Sequence, residues 1–403
     1  MRDNKYKICF VLDTAIGGIT TVVLGQIKLL NSDDYECYVL LLNISWRNVS
    51  SSKGIFEKEG IKCIEISISQ KINKYRLLKR MANIYLREAD LIIASTKYEM
   101  TAYGLARLST PLILMVHGDT DAVETMVIEF QDMADRIIAI SEFIKEWALV
   151  NVRKGNRSKI FYLPHAIPIK TSLIISKDSS KTLNIIFIGR YNECKGADYL
   201  IGIGEKLQDA KEIFKFIFIT DGCNEEDFRL KWPLNNVTSY YSNISNVQVL
   251  DLLCSADIIL MPSRNEGLPI ALIEAMRLGV VPVCSNLRSG FSELIISGEN
   301  GYLVEVGDIN RFVECILNLD RNRGILESMI EKSIEMVSAN FDPNKNILGY
   351  DKMYKNVINN NWHKNYPIKY SSLGFLDSPF IPNWLFWFSK HLKIFIKRNR
   401  FNS

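Results

Sequence analysis

The sequence predicts an α/β chain of two doubly wound halves, on three observations. Short apolar runs alternate with longer helical patterns through the first 165 residues. The alternation stops in a serine- and lysine-rich stretch and then starts again. The length, 403 residues, exceeds what one hydrophobic core usually serves.

In chain order, strands are expected at Ile8 to Leu12, Tyr38 to Leu42, Ile61 to Ile66, Leu91 to Ala94, Leu112 to Val116, Ile137 to Ile140 and Ile160 to Leu163. Pro164-His165-Ala166-Ile167-Pro168 and the aperiodic residues through Lys181 read as a linker. The pattern resumes at Ile185 to Ile188, Phe216 to Ile219, Ile258 to Met261 and Val280 to Cys284. The expected organisation is a first domain at 1–165, a linker at 166–181, a second domain at 182–340, a helical segment at 341–362 and a basic, aromatic tail at 363–403. Ligand is expected outside the carboxyl ends of the strands, in the cleft between the halves.

Hydrophobic residues make up 47% of the chain and charged residues 23%, a globular balance. The net charge of +4 is modest and does not imply nucleic acid. Eight cysteines lie scattered without the paired short spacing of zinc sites and read as buried free thiols in a reducing compartment. The first apolar run comes too soon and is too short for a signal peptide, so a cytoplasmic location is expected.

The most informative segment for chemistry is Asn265-Glu266-Gly267-Leu268-Pro269-Ile270-Ala271-Leu272-Ile273-Glu274, directly after an apolar run. Pro269 suits the first turn of a helix and Gly267 permits a tight entry from the strand. Two carboxylates stand here with seven residues between them. If the geometry were helical throughout, they would lie roughly 12 Å apart along the axis, beyond the roughly 5 to 9.5 Å that two carboxylates flanking one glycosidic bond require. They are expected to touch different ends of one long ligand, such as a nucleotide sugar whose pyrophosphate sits over the helix N-terminus. The bland alternative is an electrostatic cap and a solvated helical residue.

Phe187-Ile188-Gly189-Arg190 ends another strand, and Lys195-Gly196 follows at a helix start. Fixed cations there suit a diphosphate leaving group that gains negative charge; a surface pair flanking a strand end is the alternative. Thr14-Ala15-Ile16-Gly17-Gly18-Ile19-Thr20 is a glycine turn between the first strand and first helix, either a phosphate-approaching loop or a simple turn. His117 ends the fifth strand, where a satisfied structural histidine is the competitor.

The glutamate pair resembles the signature of retaining glycosyltransferases of family 4, whose fold is GT-B: two Rossmann-like domains facing across a cleft. The resemblance implies that Glu266 binds the donor sugar and Glu274 the ribose hydroxyls. It implies that Arg190 and Lys195 bind the pyrophosphate, that Gly17 and Gly18 form the glycine loop, and that His117 contacts the transferred sugar. The amides near Gly17, Gly18, Leu268 and Ile270, with Gly267 shaping the loop, would serve the departing phosphate. It further implies that 341–362 crosses back to the first domain, and that transfer proceeds on the front face with the phosphate helping to deprotonate the acceptor. The expected reaction moves a hexose-type sugar from a nucleoside diphosphate sugar, as co-substrate, to a saccharide or lipid-linked acceptor, in cell-surface polysaccharide or glycolipid synthesis.

No metal or other cofactor is expected. Asp119-Thr120-Asp121 spells the aspartate-any-aspartate tripeptide of metal-dependent transferases but is set aside, because cations already serve the diphosphate. His165 is read as a hinge marker. A GT-B sugar nucleotide epimerase and a non-catalytic nucleotide-sugar-binding subunit are the alternatives; the first would turn over donor alone, the second would bind it and do nothing.

The tail from Phe380 carries Trp384, Trp387 and Phe388, followed by Lys390, Lys393, Lys397, Arg398 and Arg400. It is too short and too charged to span a bilayer and reads as an interfacial helix on an anionic membrane, or as a closing helix packed on the protein. Lys71 to Arg87 is a second basic segment at near-helical spacing, with an ordinary surface helix as the alternative.

Overall fold

The computed structural model describes residues 5–14, 17–44, 51–69, 72–118, 120–168, 182–210, 214–220, 225–360, 364–367, 370–373, 377 and 380. The chain divides into two compact units, Met1–Ile140 with Ile144–Ala166 and Asn344–Ser403, and Ser141–Phe143 with Ile167–Pro343.

The first unit is built on β1 (Tyr6–Asp13), β2 (Tyr35–Ile44), β3 (Lys62–Ile68), β4 (Leu91–Ala94), β5 (Leu112–Val116), β6 (Arg136–Ala139) and β7 (Ile160–Tyr162). They form one parallel sheet in the order β3-β2-β1-β4-β5-β6-β7. The central strands β4 and β5 are buried along their whole length, as continuous apolar runs in a sheet covered on both faces require. The strand order reverses between β1 and β4, the point at which doubly wound sheets open for ligand.

The second unit repeats the plan with β8 (Asn184–Ile188), β9 (Lys215–Ile219), β10 (Thr238–Tyr241), β11 (Ile258–Met261), β12 (Val281–Ser285) and β13 (Tyr302–Val304), in the order β10-β9-β8-β11-β12-β13. Every apolar run expected as a strand forms one. The edge strands β10 and β13 were not expected from the sequence: each pairs on one side only and is mostly half-buried, so neither carries a long apolar run. Under β8 and β9 lies an aromatic cluster in which Phe218 stands 4.7 Å from Phe228 and 4.8 Å from Trp232, ring centre to ring centre.

The helix Pro343–Ile358 packs in the first unit. Its Tyr350 and Tyr354 are fully buried, and Tyr350 Oη donates to Leu163 O at 3.1 Å. The segment that follows, the start of the stretch expected as a basic, aromatic tail at 363–403, is bonded to the first unit where it is described. Lys364 and Asp135 form a buried ion pair at 2.5 Å, Tyr366 Oη donates to Leu108 O at 2.7 Å, and Lys74 N donates to Asp377 Oδ1 at 2.8 Å, so these residues strap the first unit. The basic and aromatic tail residues from 381 onward lie outside the described residues, as do most of the expected linker, Lys71 and Asp119. The basic segment forms the helix Lys74–Met81, continued by a wider turn, Ala82–Leu86. Leu78, Met81, Ala82 and Leu86 are buried while Arg76, Lys79, Arg80 and Arg87 are exposed. Among the described residues no helix is long and apolar enough to cross a membrane.

Candidate active site

β8 and β11 are neighbours at the reversal point of the second sheet, so the loops leaving their carboxyl ends lie side by side. After β8 come Gly189 and the exposed Arg190, then a tight turn, Glu193–Lys195, whose last amide donates to the Asn192 side chain at 3.1 Å. Gly196 follows in the left-handed region, at φ 70°, and opens the helix Ala197–Asp209. A Cβ at 196 would lie 2.0 Å from Pro262 O, so backbone passes backbone at a distance only glycine permits.

The loop after β11 answers from the other side. Glu266, 6% exposed, accepts on Oε1 from Lys195 Nζ at 2.6 Å and from Ser263 Oγ at 2.8 Å. A carboxylate removed from water must be paired and hydrogen-bonded, and these two donors meet that requirement. Lys195 keeps 28% of its side chain exposed while its ammonium bonds the buried carboxylate.

Gly267 O accepts from Gly290 N at 2.9 Å, and a Cβ at 290 would lie 2.6 Å from the Leu268 side chain. The short helix Gly290–Leu294 thus supports the Gly267–Leu268 turn from below. Pro269 is the N-cap of the helix Ile270–Arg277 in extended conformation, one position earlier than the first-turn place expected for it. Glu266 therefore precedes the helix, and the helical spacing assumed between the two glutamates does not hold. The first amides of a helix, here from Ile270, have no intrahelical partner and face outward from its start. Glu274, 4% exposed, accepts from Asn246 Nδ2 at 3.1 Å. Burial pushes its carboxyl up to about 7, against the smaller lowering effect of Asn246.

In the first unit, Gly17 is the N-cap of the helix Gly18–Leu29, and both glycines are exposed. The φ of Gly17 is 170°, extended backbone, and a Cβ built there would meet no described atom within 4 Å. Ala15 and Ile16 lie outside the described residues. His117 follows β5 with Nε2 3.3 Å from Ser95 Oγ, and its ring stacks on His165 at 6.0 Å. Burial lowers its pKa to about 4, so the imidazole is neutral at ordinary pH. His165, read from sequence as a hinge marker, lies two positions before Ile167, where the second unit resumes, and its buried ring stacks on His117. Behind Ser95, the buried Glu99 accepts from the Ser95 amide at 2.6 Å and from the Thr96 amide, which fixes the turn.

Asp121 lies in the first turn of the helix Asp121–Phe130, an ordinary place for a carboxylate. Among the described residues no group of three or more His, Cys, Asp or Glu is arranged to hold a metal. The cysteines described are free; Cys194 is exposed, which corrects its reading as a buried thiol.

Of the expected residues, the second unit brings Arg190, Lys195, Glu266, Gly267, Leu268, Ile270 and Glu274 to one pair of strand ends and the helix that follows them, while Gly17, Gly18 and His117 stand at strand ends of the first unit. Ser263, Asn246, Arg264 and Ser95 were missed. Ser263 sits three positions before Glu266 in the same turn and was open to notice. Asn246 and Ser95 gain meaning only from contacts distant in sequence.

Residues 172–336 match the family model described as glycosyl transferases group 1. The chain is 26% identical over 355 residues to an uncharacterized glycosyltransferase of Methanocaldococcus jannaschii, covering 85% of this chain and 95% of that one. It is 23% identical to the lipopolysaccharide 1,6-galactosyltransferase of Escherichia coli, covering 87% and 98%. Among solved structures it resembles Anabaena HepE in complex with UDP and glucose, with a TM-score of 0.71 at 16% identity over 87% of this chain and 100% of that one. That likeness bears out the GT-B fold.

Proposed function

We propose that this glycosyltransferase moves a hexose-type sugar, with retention of anomeric configuration and without a metal, from a nucleoside diphosphate sugar to a saccharide or lipid-linked acceptor. The observation that carries this reading is the Lys195–Glu266 contact at the reversal point of the second sheet, with Glu274 on the next helix. It is supported by the UDP and glucose bound to HepE and by the name of the E. coli relative, which acts on lipopolysaccharide.

In this reading Arg190 and Lys195 hold the diphosphate, Arg190 through a planar fork and Lys195 as a point charge. As the bond from the anomeric carbon to the β-phosphate oxygen breaks, negative charge grows on the phosphate, where these cations and the amides at Gly17, Gly18, Leu268 and Ile270 lower its energy. The acceptor oxygen bonds to the same carbon on the same face, and its proton passes to the departing phosphate. Glu266 orients the hexose, Glu274 accepts from the ribose hydroxyls, and neutral His117 donates to or accepts from the transferred sugar.

The same reading places the enzyme on an anionic membrane, where a lipid-linked acceptor is met. Each basic residue near such a surface contributes about 1 kcal/mol, and the exposed face of Arg76, Lys79, Arg80 and Arg87 adds to the basic tail. Changing these four to glutamine, or ending the chain after Pro379, should reduce sedimentation with anionic liposomes; unchanged sedimentation in both would remove the membrane part. The reaction itself is tested by incubating the protein with UDP- and GDP-sugars, with and without lipid-extract acceptors, and analysing products by mass. Acceptor-dependent sugar transfer in the presence of EDTA supports it. Turnover of donor alone, without transfer, would contradict it.

A further inference from the structure

One residue of the loop after β11, Arg264, grips the loop after β8 through its backbone amide and its guanidinium. The Arg264 amide donates to Cys194 O at 2.8 Å, and Nη1 donates to Glu193 O at 2.7 Å. Nη1 and Nη2 donate to the two carboxylate oxygens of Asp198 at 2.7 and 2.6 Å, and the guanidinium lies 3.9 Å from the centre of the Tyr199 ring. The gripped residues, Glu193 to Tyr199, bracket Lys195, and Arg264 stands two positions before Glu266.

An exposed ion pair alone contributes little, and Arg229–Glu225, bonded at 2.8 Å on one helix, is such a pair in the same unit. Arg264 differs in geometry. Its planar fork spans a backbone carbonyl and a carboxylate while the flat face stacks on an aromatic ring, which an ammonium cannot do. Its hydrogen bonds also hold the Asp198 carboxyl below the usual range. Nothing in the donor chemistry requires this arginine; without its side chain the two loops are joined by the backbone bonds from the Arg264 and Asn265 amides to Cys194 O, by Lys195–Glu266 itself and by the close pass at Gly196.

We propose that Arg264 is the positioning residue that sets Lys195 against Glu266, fixing the spacing between the phosphate-binding ammonium and the sugar-binding carboxylate. The roles given to those two groups rest on the function proposed above; the clamp itself does not.

The experiment uses full-length protein and the variants Arg264→Ala, Arg264→Lys and, as control, Arg229→Ala, with Asp198→Asn as a milder change should Arg264→Ala not fold. Two quantities are read: the rate at which Lys195 is acetylated by an amine-reactive ester, followed by peptide mass analysis, and kcat and KM for transfer. Loss of the clamp should raise Lys195 acetylation about fivefold in both Arg264 variants and leave the control unchanged. It should lower kcat by about 10²-fold, with a smaller change in KM, as a slight misplacement of catalytic groups does. Unchanged acetylation in every clamp variant overturns the inference, whatever happens to transfer. Wild-type behaviour of Arg264→Lys overturns the part given to the planar fork. Faster acetylation with unchanged kcat overturns the positioning role. Faster acetylation in an enzyme whose wild type transfers from no nucleotide sugar upholds the clamp and removes the donor reading alone.

Discussion

Lys195 Nζ lies 2.6 Å from Glu266 Oε1, joining residues 71 positions apart from the ends of neighbouring strands. The cation assigned to the phosphate and the carboxylate assigned to the hexose are thus one unit. Their removal should not be additive. Lys195→Ala and Glu266→Ala measured singly and together for kcat/KM should show a coupling of about 0.5–3 kcal/mol. Additive losses would mean that the pair does not act together.

Arg190 is exposed just after β8. Arg190→Ala should lower kcat by about 10² to 10³-fold, the loss typical of one stabilising donor, while thermal stability stays within the small range of exposed substitutions. Near-normal turnover in a folded variant would remove it from the leaving-group site.

Glu274 should make nucleotide affinity depend on pH. Its folded carboxyl titrates at about 7, against an ordinary 4.5, so a ribose-binding carboxylate gains charge as pH rises through neutrality. Nucleoside diphosphate affinity should increase between pH 6 and 8 in the wild type beyond any increase in Glu274→Gln, as calorimetry would show. Stability runs the other way. The folded state holds more protons than the unfolded state between about 4.5 and about 7, so this group's contribution falls as pH rises through that window and is flat above it. The wild-type slope minus the Glu274→Gln slope isolates it from Glu99, which acts in the same direction, and His117, which acts in the opposite one.

The strands of this fold were legible because buried parallel strands are continuous apolar runs, as at Ile258 to Met261. β10 and β13 were not, since an edge strand such as Thr238–Tyr241 needs no apolar run to hold one ladder. That Arg190, Lys195 and Glu266 follow strand ends, and that Glu274 lies on the helix after them, was legible from the apolar runs before them. The partners that hold them were not. Asn246 meets Glu274 across 28 positions, and Arg264 meets Asp198 across 66. No local pattern encodes such contacts; the sheet order creates them. Pro269 misled by one position because proline fits an extended N-cap as well as the first turn.

His117 should stay neutral across the working range. Burial holds its pKa at about 4, so its ring resonances in NMR spectra should not titrate between pH 5.5 and 8, and Ser95→Ala should perturb those resonances through the lost contact at 3.3 Å. A midpoint near the ordinary 6.5 would show that the ring is open to solvent and is not held as a neutral group.

The most direct test of retaining transfer is the anomeric configuration of the product, read from the proton coupling at the newly bonded anomeric carbon with a donor of known anomer. Front-face transfer at Arg190, Lys195 and Glu266 predicts that the product matches the donor. An inverted linkage would contradict it.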